Sequence, residues 1–444
     1  MSRYLSRPPS SRRRRAQWGL TALLAVTMAA APGAAVAETA SGWTDPEPVT
    51  AFPAQPDEDF PHAVMDVGPA GDAAAAWLVP RAAGGYRVNA AMRDESGTWT
   101  PTGPLSRRVR EYVTFDLAVD RDGDTSVVWE RWVDGAPQVE LVHCEGTVCG
   151  APEAVGVGGY ADADVEVDRS GRAIVAWRRP GQVVVRMRTA DGEWGTTRAY
   201  TAPEVWRHSL DVTPDGDAML SWFEWRTQRT RAAVHRAGAG WPHPETLMEG
   251  VRAFRVSSLV DRRGRAMFVG QTSDEFDEVA RRYLNGIVWT KLRADGTWAP
   301  MRNYNDDLGE DGTLQSIAMN VRGKGVAVWF AHRGDALRTE AARFTVAGRW
   351  GEPQRLSKTW SQNASWVGID GVARVVFEQP KRTTTPIRYV EHEPGVGWTV
   401  PVQIGAGDIT DGAGGRTRMV YTAVDGDETD GYRLWASTLD VTAD

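Results

Sequence analysis

The sequence predicts an all-β protein that folds as a β-propeller of eight four-stranded blades. Three observations support this prediction. Landmark residues recur every 44 to 59 residues, turns rich in Gly and Pro separate short apolar segments, and Trp is abundant, with 20 residues in 444. Helical periodicity over ten or more residues is hard to find after the N-terminal segment, which favours an all-β chain.

Residues 162–200 illustrate the repeating unit. Four strands are expected here, over residues 164–168, 173–178, 183–188 and 193–200. The first alternates Val with acidic residues, as a half-buried strand does, whereas the second is apolar on both faces. A single four-stranded sheet cannot cover both faces of its second strand, but neighbouring copies of the same sheet can.

Two landmarks each occur eight times and alternate along the chain. The second strand ends at Trp77, Trp129, Trp177, Trp222, Gly270, Trp329, Phe377 and Tyr421, and the fourth starts at Trp43, Trp99, Cys149, Trp194, Trp241, Trp298, Trp350 and Trp398. A period near 50 residues with four strands predicts a propeller. The chain starts with a fourth-strand segment (42–52) and ends after a third-strand segment (432–439), so the two ends should complete one blade. Seven blades is the alternative, if the copy near Gly270 or the last copy is not a blade.

Turn residues between first and second strands agree with this reading. Asp or Asn stands first and Gly fourth in turns such as Asp120–Gly123, Asp168–Gly171 and Asp261–Gly264, a pattern that favours type I turns with a left-handed Gly. Asp120, Asp122 and Asp124 also permit a calcium loop, but other copies keep the Gly and lose the later acids.

The N-terminus has the features of a secretory signal peptide. Arg12–Arg15 are followed by an apolar stretch, and Ala35-Val36-Ala37 is a small-residue cleavage site. We therefore expect residues 1–37 to be removed, by general secretion or by twin-arginine export, and residues 38–444 to be one extracellular propeller domain. No other stretch approaches about 18 apolar residues, so no membrane span is expected.

Charge and cysteine content limit the partners. Removing residues 1–37 deletes six Arg and no acid, so the formal net charge changes from −7 to −13, which argues against nucleic acid. Cys144 and Cys149 are predicted to form a disulfide across a hairpin in an oxidising compartment. No further Cys or His stands at ligand spacing, so no metal site and no cofactor are expected, and the chain is expected to be a monomer.

Turns between third and fourth strands carry a family resemblance. The segments Glu95–Trp99, Ala190–Trp194 and Ala294–Trp298 resemble degenerate forms of the Asp-box hairpin of sialidase-type propellers, although the Ser is missing and the spacing from Gly to Trp is shorter. The whole repeat is similar to those of secreted bacterial β-propeller repeat proteins. The resemblance implies the fold and says little about activity.

Candidate binding residues follow from the fold. A propeller places its second-to-third-strand links and its blade-to-blade links on one face, which we call the top face. Four Trp outside the landmarks and strands map there: Trp132, Trp206, Trp225 and Trp360. Charged residues on this face include Arg131, Arg178, Arg179, Arg207, His208, Glu224 and Arg226. Exposed Trp beside Arg and carboxylates is a pattern that binds sugars and acidic polymers, although Trp can equally fill gaps between loops.

Three functions remain open on this evidence. The first is a non-catalytic binding protein that holds a glycan, a cell-wall component or a cell-surface protein on the top face. The proposed binding residues are Trp132, Trp206, His208, Glu224, Trp225, Arg226, Arg131 and Arg179. The second is a polysaccharide hydrolase or lyase that uses carboxylates such as Glu130 and Glu224 on the same face. The third is a structural ring without a small ligand.

Overall fold

The computed structural model describes residues 42–52, 63–81, 84–94, 96–109, 114–159, 162–277, 282–304, 311–333, 336–359, 361–379, 385–393, 395–415, 418–427 and 431–441. The chain divides between Ala37 and Glu38 into two units, and every described residue belongs to the second. The predicted signal peptide and Trp360 lie outside the described residues. Within the described ranges, the regular secondary structure consists of β-strands, and none of these segments forms a helix with the length and apolar character that a membrane span requires.

The first four blades follow one another along the chain after strand β1 (Glu47–Phe52), which belongs to the last blade. Blade 1 contains β2 (Ala63–Val67), β3 (Ala73–Pro80), β4 (Tyr86–Arg93) and β5 (Trp99–Pro104). Blade 2 contains β6 (Phe115–Val119), β7 (Thr125–Val133), β8 (Ala136–Glu145), β9 (Val148–Cys149) and β10 (Glu153–Val157). Blade 3 contains β11 (Ala163–Val167), β12 (Ala173–Arg179), β13 (Gln182–Arg188) and β14 (Arg198–Thr201). Blade 4 contains β15 (Val205–Val212), β16 (Ala218–Glu224), β17 (Arg229–His235) and β18 (Glu245–Glu249).

The remaining blades repeat the same antiparallel order. Blade 5 contains β19 (Ala253–Val260), β20 (Ala266–Asp277), β21 (Arg282–Lys291) and β22 (Arg302–Asn303). Blade 6 contains β23 (Asp311–Met319), β24 (Lys324–Arg333), β25 (Ala336–Thr345) and β26 (Gln354–Ser357). Blade 7 contains β27 (Asn363–Val367), β28 (Ala373–Glu378), β29 (Pro386–Glu393), β30 (Gly397–Trp398) and β31 (Val402–Ala406). Blade 8 contains β32 (Asp408–Gly414), β33 (Arg418–Asp427), β34 (Gly431–Asp440) and β1.

Eight blades close into a ring, as predicted, and the two ends of the chain share blade 8. Strand β1 pairs with β34, the Thr44 N–H donates to the Thr438 carbonyl at 2.8 Å, and the Ser437 hydroxyl donates to the Thr44 carbonyl at 2.8 Å. Trp43 packs edge-on against Tyr389 and Tyr421. The eight-blade prediction is confirmed, and the seven-blade alternative is wrong.

The copy near Gly270 is a complete blade whose second strand lacks the usual Trp. A Cβ at Gly270 would lie 2.7 Å from Cζ of Phe268 and 3.1 Å from the Arg255 carbonyl oxygen. Phe268 is fully buried. The Phe268 ring therefore occupies the space beside Gly270, and this explains why a weak sequence signal still forms a blade.

The interior consists of apolar layers between successive blades. Trp129, Trp177, Trp222 and Trp329 are among the largest fully buried side chains. One such layer joins Ile174 and Ala176 of blade 3 to Leu210 and Trp222 of blade 4. Each second strand is thus covered on both faces by its neighbours, as the apolar pattern of residues 173–177 predicts.

Acidic side chains of the first strands link neighbouring blades. These strands lie side by side around the ring. In each link, an Asp carboxylate accepts a backbone N–H from the first strand of the next blade: Asp411 from Met65 (2.9 Å), Asp66 from Val119 (2.8 Å), Asp116 from Val165 (2.9 Å) and Asp211 from Val260 (2.5 Å). These four Asp carboxylates therefore join the first strands of successive blades.

The predicted Asp–Gly turns and the predicted disulfide are confirmed. Gly123, Gly171 and Gly264 have positive φ values, and Asp120 accepts the N–H groups of Asp122 and Asp124 at 2.9 and 3.0 Å, as a turn requires. Among the described residues, no group of three or more His, Cys, Asp or Glu is arranged to hold a metal ion. The disulfide between Cys144 and Cys149 links β8 to β9.

The predicted starts of several fourth strands were wrong, because β18, β22 and β26 begin after the landmark residues Trp241, Trp298 and Trp350. A fourth strand was expected over 193–200, but β14 begins at Arg198, and Trp194 forms only an isolated bridge with Arg188. The Trp194 indole N–H donates to Glu153 of blade 2 at 2.8 Å. The landmark Trp therefore closes the preceding turn and contacts the neighbouring blade, and the strand starts after it.

Candidate functional site

A cavity of about 600 Å³ opens on the top face, where blades 3 and 4 meet. Its lining residues are Arg178, Glu204, Val205, Trp206, Arg207 and Trp225. They come from three places: the end of β12, the link between β14 and β15 with the start of β15, and the end of β16. The junction of blades 3 and 4 is where the sequence placed Trp206, Trp225 and their charged neighbours.

A β-bulge turns Trp206 outward. Val205 pairs with Glu224 and Arg207 with Phe223, so Trp206 is an extra residue without a partner in the ladder between β15 and β16. Bulges of this kind redirect a side chain at the end of a strand. The Trp206 side chain is consequently 47% exposed although it belongs to an inner strand.

Trp225 completes an aromatic shelf. Its backbone N–H donates to the Glu204 carbonyl at 2.9 Å, and Glu204 takes a left-handed conformation with φ of 51°. The Trp206 and Trp225 rings lie 5.4 Å apart between centroids with an interplanar angle of 36°. The guanidinium of Arg252, from the link to blade 5, lies over the Trp225 ring at 5.1 Å. Two exposed indoles thus form one shallow shelf whose outer edge is cationic.

Arg178 fixes the backbone beneath this shelf. Its Nη1 donates to the carbonyl oxygens of Val205 and Trp206 at 2.6 and 2.8 Å, and its Nε lies 2.7 Å from Oδ2 of Asp162. These bonds satisfy carbonyl groups that the bulge leaves outside the strand ladder. We therefore assign Arg178 a positioning role, in which it holds Trp206 in its outward orientation.

His208 lies beneath the shelf and is not exposed. Its side chain is fully buried, with Nδ1 at 3.5 Å from Asp162 and Nε2 at 3.5 Å from Asp164. Burial lowers the pKa of His208, but the negative charges of Asp164 and Asp162 outweigh it and raise the pKa to about 9. At neutral pH the imidazolium therefore joins blades 3 and 4 through two carboxylates, and it does not face the cavity as a ligand-binding group.

Glu224 is also an interior residue. It is 2% exposed; its carboxylate accepts the Trp222 indole N–H at 3.1 Å and the Thr227 hydroxyl at 2.7 Å, and it lies near Arg231. Glu130 is likewise buried, and it accepts the Gly159 N–H at 2.6 Å. The two carboxylates that the sequence offered for catalysis are therefore engaged within the protein.

The other sequence-predicted residues lie beside the cavity or away from it. Arg226 follows Trp225 and is exposed. Arg131 forms a forked pair with Glu140, and Arg179 donates to Gln182. Trp132 is 39% exposed in blade 2 and is not among the residues that line the cavity. The structure thus brings together Trp206 and Trp225, with Arg226 next in the chain, but not Trp132, Arg131 or Arg179.

Two residues of the site had no sequence signal. Glu204 is unexpected because a non-glycine residue in the left-handed conformation cannot be recognised from its type alone. Arg252 follows Gly250 in the link to blade 5, and its stacking on Trp225 depends on the placement of the next blade. Arg178 and Arg207 were predicted on the top face, but their different roles were not.

Comparison with known proteins gives only distant similarity. No protein-family model and no curated protein matches the sequence. Among solved structures, the chain resembles a polysaccharide lyase described as an ulvan lyase, with 9% identity over 71% of this chain and 90% of that one and a TM-score of 0.48. It also resembles a lectin from Burkholderia pseudomallei, with 14% identity over 74% of this chain and 96% of that one and a TM-score of 0.48. A lectin from Aleuria aurantia, solved with a fucosyl disaccharide, shares 10% identity over 78% and 96% of the two chains with a TM-score of 0.38. Because these similarities are so distant, function has to be argued from the site.

Proposed function

We propose that the protein is a glycan-binding propeller that acts outside the cell and holds its ligand in the cavity between blades 3 and 4. The observation that carries this proposal is the pair of exposed indoles, Trp206 and Trp225, at 5.4 Å between ring centroids beside Arg207. Sugar rings present apolar C–H faces that stack on indoles, while their hydroxyl groups accept hydrogen bonds from Arg. The expected export of residues 38–444 agrees with such a role.

The small number of available carboxylates at the site favours binding over catalysis. Glycoside hydrolysis generally uses two carboxyl groups about 5 to 9.5 Å apart on either side of the scissile bond. Among the residues that line this cavity, Glu204 is the single carboxylate. Glu130 and Glu224 are buried, with hydrogen bonds to other groups of the protein. An enzyme acting on polysaccharide remains the alternative that the same experiment addresses.

A glycan array with purified residues 38–444 tests the proposal. We expect binding to a subset of glycans and at least a fivefold loss of affinity in Trp225→Ala and in Trp206→Ala, since stacking of a ring on an aromatic side chain contributes roughly 1 to 3 kcal/mol. Trp132→Ala is the matched control, because this exposed Trp lies outside the cavity lining. A blank array, or equal losses in all three variants, would refute the proposal. Release of shortened products from a bound polysaccharide would establish the enzyme instead.

A further inference from the structure

Three charged residues occupy equivalent positions on consecutive blades, and the middle one, Arg207, lines the cavity. Ala163, His208 and Val256 of the first strands pair with Trp177, Trp222 and Gly270 of the second strands. The residues immediately before them are therefore in equivalent positions: Asp162 in blade 3, Arg207 in blade 4 and Arg255 in blade 5. Blades 4 and 5 also share a bulge just before this position, at Trp206 and at Phe254.

Arg207 lies within electrostatic reach of both its neighbours in this row. On the blade 3 side, burial opposes ionisation of Asp162, but His208, Arg178 and Arg207 together lower its pKa. On the blade 5 side, burial and the charge of Arg207 both lower the pKa of Arg255. Two guanidinium groups thus lie on neighbouring blades, and both residues are exposed overall, although protein atoms partly surround the Arg255 guanidinium.

The acidic residue of this row is already engaged. Asp162 contacts Arg178 at 2.7 Å and His208 at 3.5 Å. Arg255 donates to the Gln315 carbonyl of blade 6 through one Nη, a bond to a neutral acceptor that leaves its charge unneutralised. Along the channel, Asp164 is paired with His208, and burial raises the pKa of Asp211 to about 7, which weakens its opposing charge. The cavity therefore has an excess of positive charge on the side of Arg207.

We propose that the cavity is selective for acidic saccharides, with sugar rings on Trp206 and Trp225 and a carboxylate or sulfate group on Arg207 and Arg255. Arg forms forked hydrogen bonds that match the paired oxygens of both anions. The inference rests on the proposed glycan binding and narrows its ligand class. Arg252 over the Trp225 ring adds positive charge at the shelf, which also favours an acidic ligand.

Matched pairs of polymers separate charge recognition from stacking. Polygalacturonate is compared with its methyl ester, and a sulfated galactan with its desulfated form, by titration calorimetry on residues 38–444 at one salt concentration. We expect at least one acidic polymer to bind tenfold or more tightly than its neutral counterpart. Which pair shows the preference identifies the anion as carboxylate or sulfate.

Variants then assign the preference to the two Arg residues. Arg207→Gln and the double variant with Arg255→Gln should reduce affinity for the acidic polymer about tenfold to a hundredfold, and affinity for the neutral one only a few fold, because Gln still offers an N–H donor to sugar hydroxyl groups. If loss of the hydrogen bond from Arg255 to Gln315 prevents the double variant from folding, Arg207→Gln alone tests the proposal. Glu204→Gln should raise acidic affinity a few fold by removing a like charge. Arg229→Gln is the control, because Arg229 is an exposed Arg paired with Glu249 on the outer strands of blade 4.

The outcomes distinguish this inference from the proposed function. Equal binding of acidic and neutral polymers, or an unchanged preference in the Arg207 variants, overturns acidic selectivity. If acidic and neutral polymers bind equally well and both lose affinity for Trp225→Ala, the proposed glycan binding is still supported. Failure of all four polymers to bind also overturns the inference, and the glycan array then decides separately whether the protein binds glycans.

Discussion

Asp211 offers the sharpest test of how the ring is held together. Its carboxylate accepts the Val260 N–H at 2.5 Å across the interface between blades 4 and 5, and Val260 is buried. Burial raises the pKa of Asp211 to about 7, against an ordinary value of 3.8. The facing carboxyl of Glu166 has a pKa that is raised by burial and by the charge of Asp211.

The sign of the pH effect follows from the raised pKa. Asp211 binds its proton more tightly in the folded state, so its stabilising contribution is fully present below about pH 4 and is lost as the pH rises through about 7. A shift of about three units corresponds to roughly 4 kcal/mol in a dry site. Asp211 keeps part of its surface accessible to water, which screens the charge, so we expect about 1 to 2 kcal/mol between pH 5 and pH 8.

Two substitutions separate the charge from the hydrogen bond. Asp211→Asn keeps an acceptor for the Val260 N–H but does not titrate. Between pH 5 and pH 8, the free energy of unfolding of this variant should therefore fall by about 1 to 2 kcal/mol less than that of the wild type. Asp211→Ala leaves the Val260 N–H without an acceptor and should be about 1 to 3 kcal/mol less stable than Asp211→Asn at both pH values. Urea unfolding followed by Trp fluorescence measures both differences. The reasoning is refuted if Asp211→Asn retains the whole pH dependence, or if the Ala and Asn variants are equally stable.

Two further predictions concern the closure of blade 8 and the disulfide. Trp43→Ala should lower the free energy of unfolding by about 3 to 5 kcal/mol, because Trp43 is buried against Tyr389 and Tyr421 where the two chain ends meet. The control is Trp298→Ala, which removes a partly exposed Trp. If urea unfolding shows that Trp43→Ala loses no more stability than this control, the role of Trp43 in closing the ring is contradicted. Replacing Cys144 and Cys149 together by Ser should cost only about 2 kcal/mol, because the closed loop is short. Addition of a reductant to the wild type should reproduce that loss, and a much larger loss would show that the bond does more than close the hairpin.

Much of the architecture could be predicted because the repeats encode it locally. The apolar run at residues 173–177 requires cover on both faces, and turns such as Asp120–Gly123 specify the hairpins through an Asp side chain and a left-handed Gly. The phase of the two chain ends also predicted the pairing of β1 with β34. The start of the fourth strand in blade 3 was placed too early, because Trp194 contacts Glu153 of another blade before the strand begins.

By itself, the sequence favoured eight blades over seven and predicted the closure of the ring, the disulfide and the face on which Trp206 and Trp225 lie. Only the tertiary structure decided which side chains of that face are available to a ligand. A bulge of one residue exposes Trp206, while His208 and Glu224, close by in the sequence, are turned inward and engaged. The physical reason is that successive side chains of a strand alternate between faces, so a single inserted residue reverses exposure. Contacts between blades, such as those of Arg178 with the backbone at Trp206, hold that bulge in place, and such contacts have no local signature in the sequence.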